Sequence, residues 1–450
     1  MAKQVSPGVL ALRKVVDDVY ADAREAKKQG KLVGWSSSKF PCELAEAFDL
    51  NVMYPENQAA GIAAQRDGEI MCQAAEDLGF DNDICGYARI SLAYAAGKRA
   101  SRKFDPETLE FIIDPNSGKP LKDENGKVVI DPETGKPKKD PKTQVPYTVL
   151  DDIHEIEALP ETTEKEIAYK NFRREAIKPY KQMRIPQPDF VLCCNNICNC
   201  MTKWYENIAR MCNIPLIMVD IPYNNTVEVS DSAVKYVRAQ FDNAIHELEK
   251  LTGKKFDEKK FELACKHANR TADVVTARGK EAAADAFELL SKDLQKNIEE
   301  GTSTLPFPEQ YRVMFEGIPC WPKLPNLFKP LKENGINVTA VVYAPAFGFV
   351  YNNMDEMARA YYKAPNSVCI EQGVAWREGI CRDGVLVHYN RSCKPWSGYM
   401  AEMQRRFTAD LGVPCAGFDG DQADPRNFNE AQYATRVQGL VEAMEANKKD

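Results

Sequence analysis

The sequence predicts an α/β fold: two Rossmann/flavodoxin-like parallel-sheet domains joined by a helical layer, with a hairpin-rich insertion. Three observations predict it. Short apolar runs alternate with helix-patterned segments, which is the grammar of a parallel sheet. The alternation comes in two blocks separated by a charged helical stretch, and the first block is broken by a segment of Asp-Pro and Asn-Gly turns. A chain of 450 residues is also too long for one ordinary core and fits two or three domains.

Taken in order, an amphipathic helix comes first. "KLVGWSSSKFPCELAEAF" then reads as strand, Ser-rich turn and helix, and "LNVMYPENQAAGIAA" repeats the pattern. After the interruption, "DFVLCCNNIC" and "IPLIMVDIPYNN" continue it, so residues 1–100 with 183–229 form one α/β unit. The interruption, 101–182, holds "DPNSGKP", "KDENGKVVID" and "DPETGKP", turn chemistry that makes short exposed hairpins rather than a catalytic core. Residues 230–304 carry apolar positions at three- and four-residue spacing in "AVKYVRAQFDNAIHELEKLTG" and "AAADAFELLSKDLQKNIEEG", a helical layer. Residues 305–450 supply four more strand-to-loop units: "YRVMFEGIPCWP", "INVTAVVYAPAF", "GVLVHYNRSC" and "VPCAGFDGDQADPR".

With 28% charged residues and a net charge of −7, the chain lacks the positive charge that nucleic acid or an acidic membrane selects. Its start has no apolar signal core, and no stretch approaches the roughly 20 apolar residues that span a bilayer. A cytoplasmic location is expected. In that reducing compartment the 14 cysteines are free thiols or metal ligands rather than a disulfide framework.

Ligands of parallel α/β sheets bind beyond the carboxyl ends of the strands. Ser36 to Ser38, Glu56, Cys194 to Cys200, Tyr223 to Asn225 and Cys393 all follow predicted strands and should collect there. Zinc fits the cysteines poorly: there is no C-x₂-C pair, and His154, His246, His267 and His388 are scattered. The C-x₃-C-x₂-C run fails because Met201 takes the third place after Cys194 and Cys198. A cluster held by thiolates from distant segments and a set of buried structural cysteines both remain open. On the residues alone, Glu56 reads as a helix-capping carboxylate, Ser38 as an N-cap and "GFDGDQADPR" as an ordinary turn.

The segments "GWSSSKFPCELAEAF", "YPENQAAG", "DICGYARISLAY", "DFVLCCNNICNCMTKWYENIA", "EGIPCWP", "HYNRSCKPWS" and "GFDGDQADPRNFN" closely resemble the 2-hydroxyacyl-CoA dehydratases, kin of the benzoyl-CoA reductases, over nearly the whole chain. The insertion and Cys200 look most like the alpha subunit of members acting on (R)-2-hydroxyglutaryl-CoA. The resemblance implies a [4Fe–4S] cluster on Cys85, Cys198 and Cys393 with one iron open to the thioester carbonyl, Ser38 and Glu56 beside the substrate as candidates for proton transfer, and "GFDGDQADPR" as a substrate or partner loop. Cys193, Cys194 and Cys200 would be neighbours, not ligands. It further implies dehydration through a ketyl radical after one-electron activation, a homologous beta subunit, an ATP-dependent iron–sulfur activator, and room for FMN in the complex. No G-x-x-x-x-G-K-[ST] loop occurs here, in keeping with a separate ATPase. A related dehydratase for another acyl group and a benzoyl-CoA-type reductase are alternatives, and because relatives carry extra residues between Thr271 and Ala272 and near Arg382 and Asp383, so is a non-catalytic electron-transfer or assembly role.

Overall fold

A computed structural model describes residues 5–196, 198–224, 228–271, 278–341, 348–363 and 383–448. Asn225, Ala272, Cys369, Cys381 and Arg382 lie outside the described residues.

Eight short apolar runs become two parallel sheets. The first contains β1 (Val33–Ser36), β2 (Asn51–Met53), β5 (Phe190–Cys194) and β6 (Leu216–Val219) in the order β2-β1-β5-β6. The second contains β7 (Tyr311–Glu316), β8 (Ile336–Val341), β9 (Gly384–Asn390) and β10 (Cys415–Gly420) in the order β10-β9-β7-β8. Counting strands along each half, the first sheet has the order 2-1-3-4 and the second, read from its other edge, 2-1-3-4 as well. Each therefore reverses direction between its first and third strands. Such a reversal opens a crevice at the carboxyl edge, where doubly wound folds bind ligands.

Helices cover both faces of each sheet, which is why the strands read as continuous apolar runs rather than alternating ones. The first half carries α1 (Pro7–Lys28), α2 (Cys42–Glu46), α3 (Pro55–Ala64), α4 (Gly68–Asp77), α5 (Gly86–Ala95), α6 (Ile153–Ala158), α7 (Glu164–Ala176) and α8 (Asn199–Cys212). The helical layer is α9 (Asp231–Thr252), α10 (Glu258–Thr271) and α11 (Glu281–Glu299). The second half adds α12 (Leu324–Glu333), α13 (Met354–Lys363), α14 (Lys394–Leu411) and α15 (Glu430–Asn447). Local chemistry sets several ends: Ser6 caps α1 ahead of Pro7, Ser230 caps α9, and Gly253 closes α9 at φ 67°.

The pleat divides the first core in two. Val191 and Cys193 join one apolar cluster with Trp35, Tyr87 and Tyr205, while Phe190, Leu192 and Cys194 join another with Phe241 and Tyr361. Tyr361 belongs to α13, so a helix from the second half packs on the first sheet's core.

In the inserted segment, β3 (Lys98–Arg102) and β4 (Thr148–Asp152) pair antiparallel at its base. Between them run hairpin-like bridges such as Lys122 to Val128 and Ile130 to Pro137. Asp114, Asp123, Asp131 and Asp140 each accept the amide two residues on at 2.9 to 3.0 Å, the Asx turns that the sequence predicts. Beyond β4 the segment is helical, with α7 opened by a capping box of Thr163 and Glu166.

Candidate active site

Three cysteines occupy the same structural position on three helices. Cys85 is the N-cap of α5, Cys198 of α8 and Cys393 of α14. None makes a full side-chain capping hydrogen bond, yet the amides three residues on, of Ala88, Met201 and Trp396, lie near enough to favour each thiol's charged form. Each helix N-terminus adds partial positive charge, so the three ends together suit a negatively charged group.

Cys200, in the first turn of α8, completes the group: burial raises its thiol, against which the Cys85 backbone N–H works the other way. Burial, and then the charges of Cys200 and Cys393, push the Cys85 thiol well above its ordinary value. Burial followed by the same two neighbours raises Cys198, and burial raises Cys393 to about 11. That mutual influence places all four sulfurs within electrostatic reach. All four are partly exposed, whereas Cys193 and Cys194 are buried on opposite faces of β5.

Thiols delivered from separate segments are a donor set of the kind that an iron–sulfur cluster takes. Among the described residues no three His, Cys, Asp or Glu side chains are grouped to hold one metal ion. A polynuclear cluster asks for something else, thiolates delivered to different irons from separate segments. One buried polar atom without a partner belongs to a side chain that touches the thiols: Gln422 Oε1, whose Nε2 donates to Cys85 Sγ. Asn390 is the residue whose carbonyl accepts the Cys393 N–H, at 3.2 Å.

Beside the thiols lies a carboxyl. Glu56 Oε2 accepts the Ser38 amide at 2.7 Å, and the Tyr205 hydroxyl, which donates to the Ser36 carbonyl at 2.8 Å, reaches Glu56 Oε1 at 3.4 Å. Glu56 sits in the first turn of α3, but these bonds carry its carboxyl away from its own helix, to the loop after β1. Burial pushes it up to about 7, although hydrogen bonds from Ser38 and Tyr205 work the other way. Its charge acts on Cys198 and Cys193, so it belongs to the same site. Ser38 does not cap α2, whose N-cap is Pro41.

The structure thus brings Ser38, Glu56, Cys85, Cys198 and Cys393 together. Tyr223 is instead a largely exposed residue. Sequence reasoning missed Tyr205, although Cys198, Met201 and Tyr205 follow the three- and four-residue spacing of one helix face. It also left the 421–426 loop undecided. That loop lies against the site: Gly86 N donates to Ser392 Oγ at 2.9 Å, and Ser392 N to Asp421 Oδ2 at 3.3 Å.

A family profile described as 2-hydroxyglutaryl-CoA dehydratase, D-component, matches residues 168–277 and 271–444. The alpha subunit of (R)-2-hydroxyglutaryl-CoA dehydratase from Acidaminococcus fermentans is 66% identical over 99% of both chains. The chain belongs to this dehydratase family. Its dehydratases are hydro-lyases, and two further relatives show how far the similarity extends. The (R)-phenyllactyl-CoA dehydratase alpha subunit of Clostridium sporogenes is 40% identical over 97% of this chain and 95% of its own. One of the benzoyl-CoA reductase subunits of Thauera aromatica is 22% identical over 59% of this chain and 72% of its own. The two matched stretches overlap at residues 271–277. These relatives are each named as one subunit of an enzyme, which places the family among multi-subunit enzymes. Among the described residues no helix is long and apolar enough to cross a membrane.

Proposed function

We propose that this chain is the substrate-binding, cluster-bearing alpha subunit of a cytoplasmic 2-hydroxyacyl-CoA dehydratase that converts (R)-2-hydroxyglutaryl-CoA to glutaconyl-CoA and water. The observation that carries the reading is the convergence of thiols from three helix N-termini next to the Ser38–Glu56 pair. The 66% identity to the alpha chain of a 2-hydroxyglutaryl-CoA dehydratase supports the acyl group.

Cys85, Cys198 and Cys393 would hold a [4Fe–4S] cluster, with Cys200 beside it. Bound there, the cluster would lend the thioester one electron, which would let the 2-hydroxyl leave and acidify the otherwise unactivated carbon-3 hydrogen, and would take that electron back at the end, so that the net dehydration is redox-neutral. The chain's own residues do the rest. Glu56, balanced near neutrality, takes the carbon-3 proton and can return it to the departing hydroxide, so that water leaves and the proton count closes. Ser38 fixes Glu56 Oε2, and Tyr205 holds the loop after β1 that carries Ser38. A homologous beta subunit and an ATP-driven activator complete the enzyme, and FMN has a place in the complex.

The test is anaerobic assay of the assembled complex, with ATP and activator, on 2-hydroxyglutaryl-, lactyl- and 2-hydroxyisocaproyl-CoA. Turnover of the first should dominate; its absence overturns the substrate. Cys85→Ser, Cys198→Ser and Cys393→Ser should each lower bound iron and abolish turnover, while Cys193→Ser, Cys194→Ser and Cys200→Ser keep the cluster. Full iron in Cys198→Ser with loss in Cys200→Ser would redraw the ligand set. A cluster whose EPR spectrum ignores added acyl-CoA would favour an electron-carrier role instead.

A further inference from the structure

One side chain at the thiols is explained neither by packing nor by the proton-transfer pair. Gln422 is fully buried, donates from Nε2 to Cys85 Sγ at 3.2 Å, and leaves its Oε1 buried without a partner. Leaving a buried carbonyl unsatisfied costs roughly 1–3 kcal/mol, so stability alone does not favour an amide here.

The loop that carries it is held firmly. Asp421 Oδ1 accepts the amides of Ala423 at 2.8 Å and Asp424 at 3.0 Å, and the Gln422 carbonyl accepts the Trp321 amide at 3.2 Å. Gly86, next to Cys85, lets the loop come close, since a Cβ there would meet Asp421 Oδ1 at 2.7 Å and Ala423 Cβ at 3.0 Å. Asp424 is tied to the fully buried Arg89 at 3.0 Å. An amide 337 positions away in sequence is therefore fixed on the Cys85 sulfur.

We propose that Gln422 is a positioning residue that raises the reduction potential of a cluster bound at Cys85. This rests on the proposed function, because it requires a cluster on that sulfur. A free thiol can donate or accept a hydrogen bond, but an iron-bound thiolate only accepts, so the amide must present its N–H₂. When an external low-potential donor delivers one electron, the cluster and its thiolates gain one negative charge, and a hydrogen bond to a ligand sulfur strengthens. The reduced form is favoured, and hydrogen bonds to sulfur are among the recognised determinants of such potentials. The other nearby donors, the amides of Ala88, Met201, Trp396 and Cys85, are backbone groups that substitution cannot remove. Gln422 is where a side chain can tune the site without adding charge.

The experiment is an EPR-monitored potentiometric titration of the intact complex, wild type against Gln422→Met and Gln422→Glu, with iron content measured in parallel. Both variants should keep iron and become harder to reduce, Gln422→Glu more so because its carboxylate faces a thiolate. A tenfold change in the oxidised-to-reduced ratio, equal to about 59 mV for one electron, is the expected size. Retained iron with an unmoved midpoint in both variants overturns the inference. Should both variants lose iron, wild-type complex labelled with ¹⁵N-glutamine settles it by pulsed EPR: an exchangeable-proton and ¹⁵N coupling to the reduced cluster is expected, and its absence overturns the inference. Wild-type complex without any cluster would instead defeat the functional reading itself.

Discussion

Glu56 combines full burial with a carboxyl that titrates near neutrality, which gives the site a signature separable from catalysis. The folded protein holds the Glu56 proton up to about pH 7, while the unfolded chain releases it near 4.5. Between those values the folded state binds more protons, so this residue's contribution is fully present below 4.5 and is lost as pH rises through 7. Glu56→Gln cannot ionise. It should match the wild type in stability near pH 4 and exceed it near pH 8, by on the order of 3 kcal/mol at most, while losing turnover. Thermal unfolding midpoints of the pair across that range measure it; a variant less stable at pH 8 would show that the carboxylate is well solvated or paired. The sequence offers Glu56 as base or cap, and only the cross-loop bond to Ser38 decides where the carboxyl points.

At the scale of elements, the eight strands of the two sheets were readable because burial on both faces writes itself as short apolar runs bounded by turns. The Asx turns of the insertion were readable for a similar reason, since Asp, Asn and Gly act on their own neighbours. What could not be read depends on partners distant in sequence. Cys200 is expected as a neighbour of the Cys198 site, and the structure places it in the first turn of the helix that Cys198 caps. Gly68 and Gly86 look like ordinary small residues, yet each makes room for the 421–424 loop. A Cβ on Gly68 would overlap the Ala423 carbonyl oxygen, backbone that cannot swing aside. Gly68→Ala should therefore cost about 1–3 kcal/mol through overpacking and loosen that loop. Faster proteolysis within residues 421–426, alongside a lowered unfolding midpoint, is the expected result; unchanged cleavage would mean that the loop relocates without strain.

On the scale of the whole molecule, two sheets of the same 2-1-3-4 order bring their carboxyl edges to one place, and the site exists only where both contribute. Cys85, Cys198 and Cys200 come from the first half; Cys393 and Gln422 come from the second. The halves are joined there by a buried ionic knot. Arg89, fully buried on α5, pairs with Glu76 at 2.7 Å and with Asp424 at 3.0 Å, and it donates to the Ile84 carbonyl just before Cys85. Arg426 binds the same two carboxylates, at 2.5 Å to Glu76 and 2.6 Å to Asp424. Breaking a buried pair by removing one partner costs roughly 3–5 kcal/mol in general, because the remaining charge is left without compensation. Here Arg426 still neutralises part of Asp424, so Arg89→Met should fall near the lower end, about 3 kcal/mol. Its second consequence follows from position: with Ile84 released and Asp424 held by Arg426 alone, the Cys85 and Gln422 loops lose their common anchor, so bound iron should drop together with the unfolding midpoint. Adding Asp424→Asn to Arg89→Met removes the stranded charge and should recover part of the stability but little of the iron, because the anchor stays broken. Equal recovery of both would mean that the knot acts through charge alone and that the two halves hold the site by their packing.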